Sequence, residues 1–136
     1  RLQLHSMEVS SVDKFENAFK DAIKAGSTAL TVTGNPFLNS HLPKTVELAA
    51  KYRLPAMYIR SDFVESGGLM SYGADIMEPY KRVAVMVDKV LKGTKPSEIP
   101  VEQPMRFEFV VNLNAAKLIG FTMPPEMLAR ATRIIR

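Results

Sequence analysis

Residues 11–33, SVDKFENAFKDAIKAGSTALTVT, change periodicity once, and that change decides the fold class. Val12, Phe15, Phe19 and Ile23 recur at three- and four-residue spacing, which lines apolar side chains along one face of a helix. Ser10 or Ser11 stands where a hydroxyl can accept a hydrogen bond from an unpaired first-turn amide. Gly26 follows the last periodic residue, where a left-handed backbone commonly ends a helix. STALTVT is then short and β-branched, and reads as a buried strand. An amphipathic helix feeding a buried strand is one repeat of an α/β fold.

The same alternation extends outward. LQLHSMEV, with Leu2, Leu4 and Val9 loosely alternating with polar neighbours, predicts a strand ahead of the helix. After STALTVT, GNPFLNSH reads as a loop from its Gly, Asn and Pro. A helix is expected over residues 43–52, with Pro43 in its first turn and Val46, Ala49 and Ala50 on its apolar face. Leu54-Pro55 breaks it, AMYI reads as a strand, RSDFVES as a loop and GLMSY as a fourth short strand. Residues 75–91 carry the strongest helical pattern, with Ile76, Tyr80, Val83, Ala84, Val87, Val90 and Leu91 on or near one face and Gly93 closing it. Pro96, Pro100 and Pro104 hold TKPSEIPVEQP extended. MRFEFVVN is an alternating strand, a short helix over 115–119 ends at Gly120, and Pro124-Pro125 opens a last helix toward Arg133. The expectation is a single α/β domain over residues 1–136, a parallel sheet flanked by helices. Right-handed crossovers then set every strand-to-helix loop along one sheet edge, where ligands bind in open α/β sheets.

Composition narrows the function classes. With 136 residues, 46% hydrophobic and 24% charged, the chain has material for one ordinary core. No apolar run approaches the roughly 18 residues of a spanning helix, and no stretch reads as a signal peptide. The chain begins at Arg1 rather than Met, from which we expect an N-terminal segment to have been lost. The net charge is +4, and Arg130, Arg133 and Arg136 cluster without interleaved aromatics, which fits a solvated helix face better than a nucleic-acid surface. With no cysteine, disulfides, thiolate catalysis and cysteine-ligated zinc are excluded.

Catalytic motifs fare poorly. Gly68 and Gly73 have the spacing of a phosphate loop, but Ala74 and Asp75 stand where lysine and a hydroxyl residue are required. His5 and His41 belong to no metal-binding pattern. A triad drawn from Ser40 or Ser71, His41 and Asp62 lacks the G-x-S-x-G elbow, and Glu65, Asp75 and Glu78 include carboxylates that a helix's first turn favours anyway. No catalytic residue, metal or cofactor is assigned. What remains is a set of ligand-type side chains at strand ends: Thr33, Asn35, Phe37 and Asn39 after one strand, Ser61, Asp62 and Phe63 after the next, and Ser71 and Tyr72 ending the third. Small polar groups with a few aromatics on one edge suit a polar organic ligand with an apolar part. The Asn and Ser residues, like the Gly residues near them, are also types that turns favour for backbone reasons alone. The methionines read as core filler rather than ligand contacts.

From Lys51 onward, the pieces RLPAMY, GGLMSYG, VDKVLKGTKPSEIPVEQP and FVVNLNAAKLIG closely resemble the C-terminal part of ABC-transporter substrate-binding proteins of the tryptophan/tyrosine type, which have the type I periplasmic binding fold. The resemblance covers essentially the whole chain. It implies one lobe of a two-lobed, non-enzymatic protein that closes on a small molecule and presents it to ABC permease subunits, in the periplasm or tethered outside the membrane. It further implies that Asn35, Pro36, Phe37, Ser61, Asp62, Ser71, Tyr72 and Gly73 line the cleft. Asn35, Ser61 and Asp62 would bind the polar head, with Phe37 and Tyr72 stacking on the apolar part of a ligand such as an aromatic amino acid. Such proteins are roughly twice this length, so the helix over residues 75–92 would pack on an N-terminal lobe, with GLMSYG and the proline-rich connector as hinge strands. Without that lobe we expect the helix to drive homo-oligomerisation or to fold back on its own sheet. The alternative is a stand-alone α/β interaction or regulatory module that oligomerises through the same helix.

Overall fold

Five short strands form one sheet whose spatial order follows the chain: β1 (Leu30–Val32), β2 (Ala56–Tyr58), β3 (Met70–Ala74), β4 (Phe107–Asn112) and β5 (Arg133–Ile135). They are taken from a computed structural model that describes residues 3–75 and 77–136. A 3₁₀ turn, Val12–Lys14, runs into α1 (Phe15–Lys24). Helices α2 (Pro36–Ser40) and α3 (Leu42–Lys51) connect β1 to β2, and α4 (Ser61–Glu65) connects β2 to β3. Between β3 and β4 lie α5 (Met77–Leu91) and a 3₁₀ turn, Pro96–Glu98; between β4 and β5 lie α6 (Leu113–Ile119) and α7 (Pro125–Arg130).

The register explains the core. Val32, Tyr58, Ser71 and Val110 are successive lateral partners across β1 to β4, and none is more than 6% exposed. Against this row pack Phe15 and Phe19 of α1, Val46, Leu48 and Ala49 of α3, and Phe63 and Val64 of α4. Full burial of side chains such as Phe15, Leu48 and Phe63 contributes roughly 1.5–3 kcal/mol each. A second cluster gathers Leu69, Val111, Ala115, Ala116 and Met123. Asn112 joins β4, α4 and α6: its Oδ1 accepts from the Ala115 amide at 3.0 Å and its Nδ2 donates to the Val64 carbonyl at 3.1 Å.

Several expectations change. The strand expected in LQLHSMEV does not form: residues 3–10 carry no regular structure, Leu4 is fully in solvent, and Leu2 lies outside the described residues. The free edge of β1 stays unpaired by this segment, so alternation this loose does not suffice to form a strand. The two loops after β1 and β2 each contain a short helix, started by Asn35 and Pro36 in one case and by Ser61 in the other. The last helix stops at Arg130, and Arg133–Ile135 pairs with β4 as a parallel edge strand. The sheet is mostly parallel rather than wholly so, because β3 and β4 run antiparallel. Asp75 caps α5 as its position promised, accepting from the Met77 amide at 2.8 Å; Ile76 lies outside the described residues. No described residue of α5 is buried, so the helix does not fold back on its own sheet.

Candidate ligand-binding edge

The carboxyl ends of β1, β2 and β3 meet at Ile59. A Cβ placed on Gly34 would lie 2.8 Å from the Ile59 Cδ1 atom, and one on Gly73 would lie 2.0 Å from the Ile59 carbonyl oxygen. The two glycines therefore flank Ile59 with no side chain of their own, and Ile59 remains 44% exposed as an apolar patch between them. Absence of a Cβ atom permits the backbone of β3 to approach that of Ile59 at Gly73, and leaves room for the Ile59 side chain at Gly34.

Around that centre the polar groups are placed by local capping. Thr33 leaves β1 exposed to solvent. Asn35 Oδ1 accepts from the Phe37 amide at 2.8 Å, Pro36 fills the first helical position of α2, and the Asn39 amide donates to the Asn35 carbonyl at 3.0 Å. After β2, Ser61 opens α4 half-buried, and Asp62 Oδ1 accepts from the Phe63 amide at 3.0 Å. Arg60 donates through Nη2 to Asp62 Oδ2 at 2.5 Å and through Nε to Oδ1 at 3.2 Å. That hydrogen-bonded pair, together with the nearby Tyr80 of α5, holds the Arg60 guanidinium charged beyond its ordinary range. Within β3, the exposed Tyr72 ring stacks on Phe107 with centroids 5.8 Å apart.

The chain thus brings Thr33, Asn35, Ser61, Asp62, Tyr72 and Gly73 to one edge. Two others point elsewhere. Ser71 is 2% exposed and belongs to the buried row with Tyr58 and Val110. Phe37 is half-buried, stacked on Phe15 at 5.7 Å and packed against His41 at 4.4 Å, with His41 Nδ1 2.9 Å from the Phe37 carbonyl oxygen. Sequence reasoning missed Ile59, Arg60 and Phe107. Phe107 had a signal, since RFEF alternates, but only antiparallel pairing of β3 with β4 brings its ring to Tyr72. A larger open hollow of about 1010 Å³ lies between residues 3–9, α1 and the face of Met57 and Met70, and no charged side chain lines it. Its polar lining includes Gln3, His5, Ser6, Ser27, Thr28 and Thr45, and none of Ile59, Arg60, Asp62 and Tyr72 borders it.

Comparison with known proteins agrees with the α/β fold. The family model described as ABC transporter substrate binding protein matches residues 1–135. No curated protein matches the chain. Among solved structures, an ABC domain in complex with L-Trp from Streptococcus pneumonia superposes with a TM-score of 0.85 at 25% identity, covering 98% of this chain and 45% of that one. A conserved domain protein from Vibrio cholerae gives 0.81 at 24% identity, with 90% and 41% covered. A ligand-free, open substrate binding protein with adhesive properties from Clostridium difficile gives 0.66 at 19% identity, with 94% and 42% covered. The chain therefore spans less than half the length of each of these structures.

Proposed function

The chain belongs to the ABC transporter substrate-binding protein family, and we propose that it forms one lobe of a solute receptor whose ligand sits on the edge built around Ile59. The observation that carries the reading is the convergence, on one edge, of exposed apolar surface (Ile59 and the Tyr72–Phe107 stack) with Asn35, Ser61 and the Arg60–Asp62 pair. That composition suits a small organic molecule with a polar head and an apolar body. An aromatic amino acid is the leading class, supported by the L-Trp bound to the Streptococcus structure. The role is binding rather than catalysis, with delivery to ABC permease subunits outside the cytoplasmic membrane.

The exposed helix α5 is the surface on which a second lobe packs in this reading. Tyr80, Val83, Val87, Val90 and Leu91 are each between 41% and 81% exposed, an apolar stripe wider than a solvated helix needs. The same stripe favours a second reading, a stand-alone module that associates with a second copy through α5. A concentration-dependent dimer in sedimentation fits both readings, since a lobe without its partner exposes the same stripe, whereas a monomer at micromolar concentration removes the module.

The test of solute binding is thermal unfolding against a panel of amino acids. A ligand at ten times its Kd stabilises the chain by about 1.4 kcal/mol. Stabilisation by aromatic members, lost when Tyr72 is replaced by alanine, is the expected outcome. A flat response across the panel counts against this edge as a solute site.

A further inference from the structure

Arg60 was not among the residues that the sequence singled out, yet it stands in the loop between β2 and α4 beside Ile59. Its pairing with Asp62 is two-pronged, through Nε and Nη2, and Asp62 Oδ1 is used again by the Phe63 amide. Both carboxylate oxygens are thus committed, one of them twice, and the charge of Asp62 is matched by the adjacent guanidinium. A cation arriving at this edge meets a carboxylate that is already neutralised. The guanidinium fork, by contrast, carries more N–H donors than the pair consumes, and about a third of the side chain is open to solvent. Its chain neighbour Ile59 is flanked by Gly34 and Gly73, which add no side chain there. Planar, two-pronged recognition of a carboxylate is the chemistry for which arginine is best shaped.

We propose that Arg60 sets the charge preference of the site: the edge selects a ligand bearing a free carboxylate, with an aromatic or apolar body lying on Ile59 and Tyr72, and does not require an amino group. In this arrangement Asp62 orients the guanidinium rather than meeting the ligand's ammonium. The inference rests on the edge being the solute site, and it goes further by naming the ligand group that is read.

The experiment is an NMR titration of the whole chain with three related probes: 3-phenylpropionate, which has only the acid, phenethylamine, which has only the amine, and L-phenylalanine, which has both. The acid and the amino acid are expected to bind with similar affinity and to shift the Arg60 Nε–H resonance, with the amine at least about tenfold weaker. R60Q is expected to weaken acid binding about tenfold, and R60K, which keeps the charge but loses the fork, to recover part of that loss. If the amine binds as tightly as the acid, or R60Q binds the acid within twofold of the unaltered chain, Arg60 does not set the preference, while the edge survives as a site. If no probe shifts the resonances of Ile59, Tyr72 or Gly73, this proposal falls together with the solute-site reading beneath it.

Discussion

Gly73 approaches Ile59 so closely that any side chain at position 73 would strike the backbone of β2's extension rather than a movable side-chain tip. β2 and β3 are hydrogen-bonded partners, so neither backbone can retreat without breaking the ladder. G73A is expected to lower stability by about 1–3 kcal/mol, the usual cost of overpacking. G26A is the contrast: nothing lies within 4 Å of its Cβ, but its φ of 76° is left-handed, and it is expected to cost about 1 kcal/mol. Denaturant unfolding of both variants checks this. A G73A protein no less stable than G26A would show that the two strands separate easily.

Tyr58 is 1% exposed and its hydroxyl has no hydrogen-bond partner among the described residues, while its ring stacks on Phe63 at 4.8 Å. Burial pushes this phenol well above its ordinary range, so it stays neutral wherever the protein is folded. Y58F keeps the ring and removes an unsatisfied polar atom. Stability is expected to be unchanged or raised by up to about 1 kcal/mol. A loss larger than that, measured by denaturant unfolding, would mean that the hydroxyl has a strong partner.

Asn112 is the opposite case, a buried polar side chain with both ends used. N112A removes the cap of α6 and one of two bonds to the Val64 carbonyl, which still accepts from the Gly67 amide at 3.1 Å. The expected cost is about 1–3 kcal/mol, from a lost cap and a lost buried hydrogen bond together. N112D is the informative companion, since it keeps the capping oxygen but turns an acceptor toward the Val64 carbonyl. It should be at least as destabilised as N112A, and near-native stability would refute the assigned pair.

Glu16 ties α1 to α3, accepting from Lys51 at 2.7 Å and from the Tyr52 hydroxyl at 2.8 Å. These bonds hold the Glu16 carboxyl below its ordinary range and raise both Lys51 and Tyr52. A depressed carboxyl contributes stability above its unfolded pKa, and that contribution disappears as pH falls through the folded value. A raised lysine or tyrosine contributes below its unfolded pKa, and the contribution disappears as pH climbs through the folded value. The cluster should therefore stabilise most between the carboxylate and phenol ranges and decline on both sides. E16Q should flatten both limbs of a plot of denaturation midpoint against pH. Parallel curves for the two proteins would show that the cluster contributes nothing.

Val87 lies on the exposed stripe of α5, half open to solvent, and no described residue of that helix is buried. V87K is expected to change the unfolding free energy of this chain by less than about 0.5 kcal/mol. It should abolish any association through α5, read by sedimentation. A large loss of folding stability would place Val87 in a contact of the isolated chain instead.

The parts of the fold legible in the sequence are those set by local pattern. Phe15 and Phe19 announced α1, the β-branched run announced β1, and Gly120 announced the end of α6, with its φ of 73°. What stayed hidden depends on distant partners. Arg133–Ile135 looks like the tail of a helix until β4 offers it an edge, and LQLHSMEV looks like a strand although residues 3–10 do not pair with the open edge of β1. At the candidate site, Asn35 and Asp62 were found because capping residues advertise loop starts. Asn35 caps α2, whereas Asp62 stands in the first turn of α4 and accepts from the next amide and from Arg60. Ile59 reads as the last residue of a strand and Arg60 as an ordinary loop residue, and only the approach of Gly34 and Gly73 and the proximity of Tyr80 give them their setting. Ser71 shows the limit of strand-end reasoning, because alternation turns one of two neighbours inward and sequence alone did not say which.

The reversal between β3 and β4 has a consequence for how the chain could be rebuilt. Ala74 faces Phe107 in the ladder, and the Asp75 amide still donates to the Arg106 carbonyl at 3.0 Å. The two strands thus leave the sheet as the arms of a hairpin, and residues 76–105 are a detour inserted at its tip. A two-residue Asn-Gly turn has the twist to join such arms directly. A chain shortened in this way keeps every strand pairing of the sheet, both core clusters and the Tyr72–Phe107 stack. The scaffold is therefore separable from its excursion, which makes the lobe a candidate for miniaturisation.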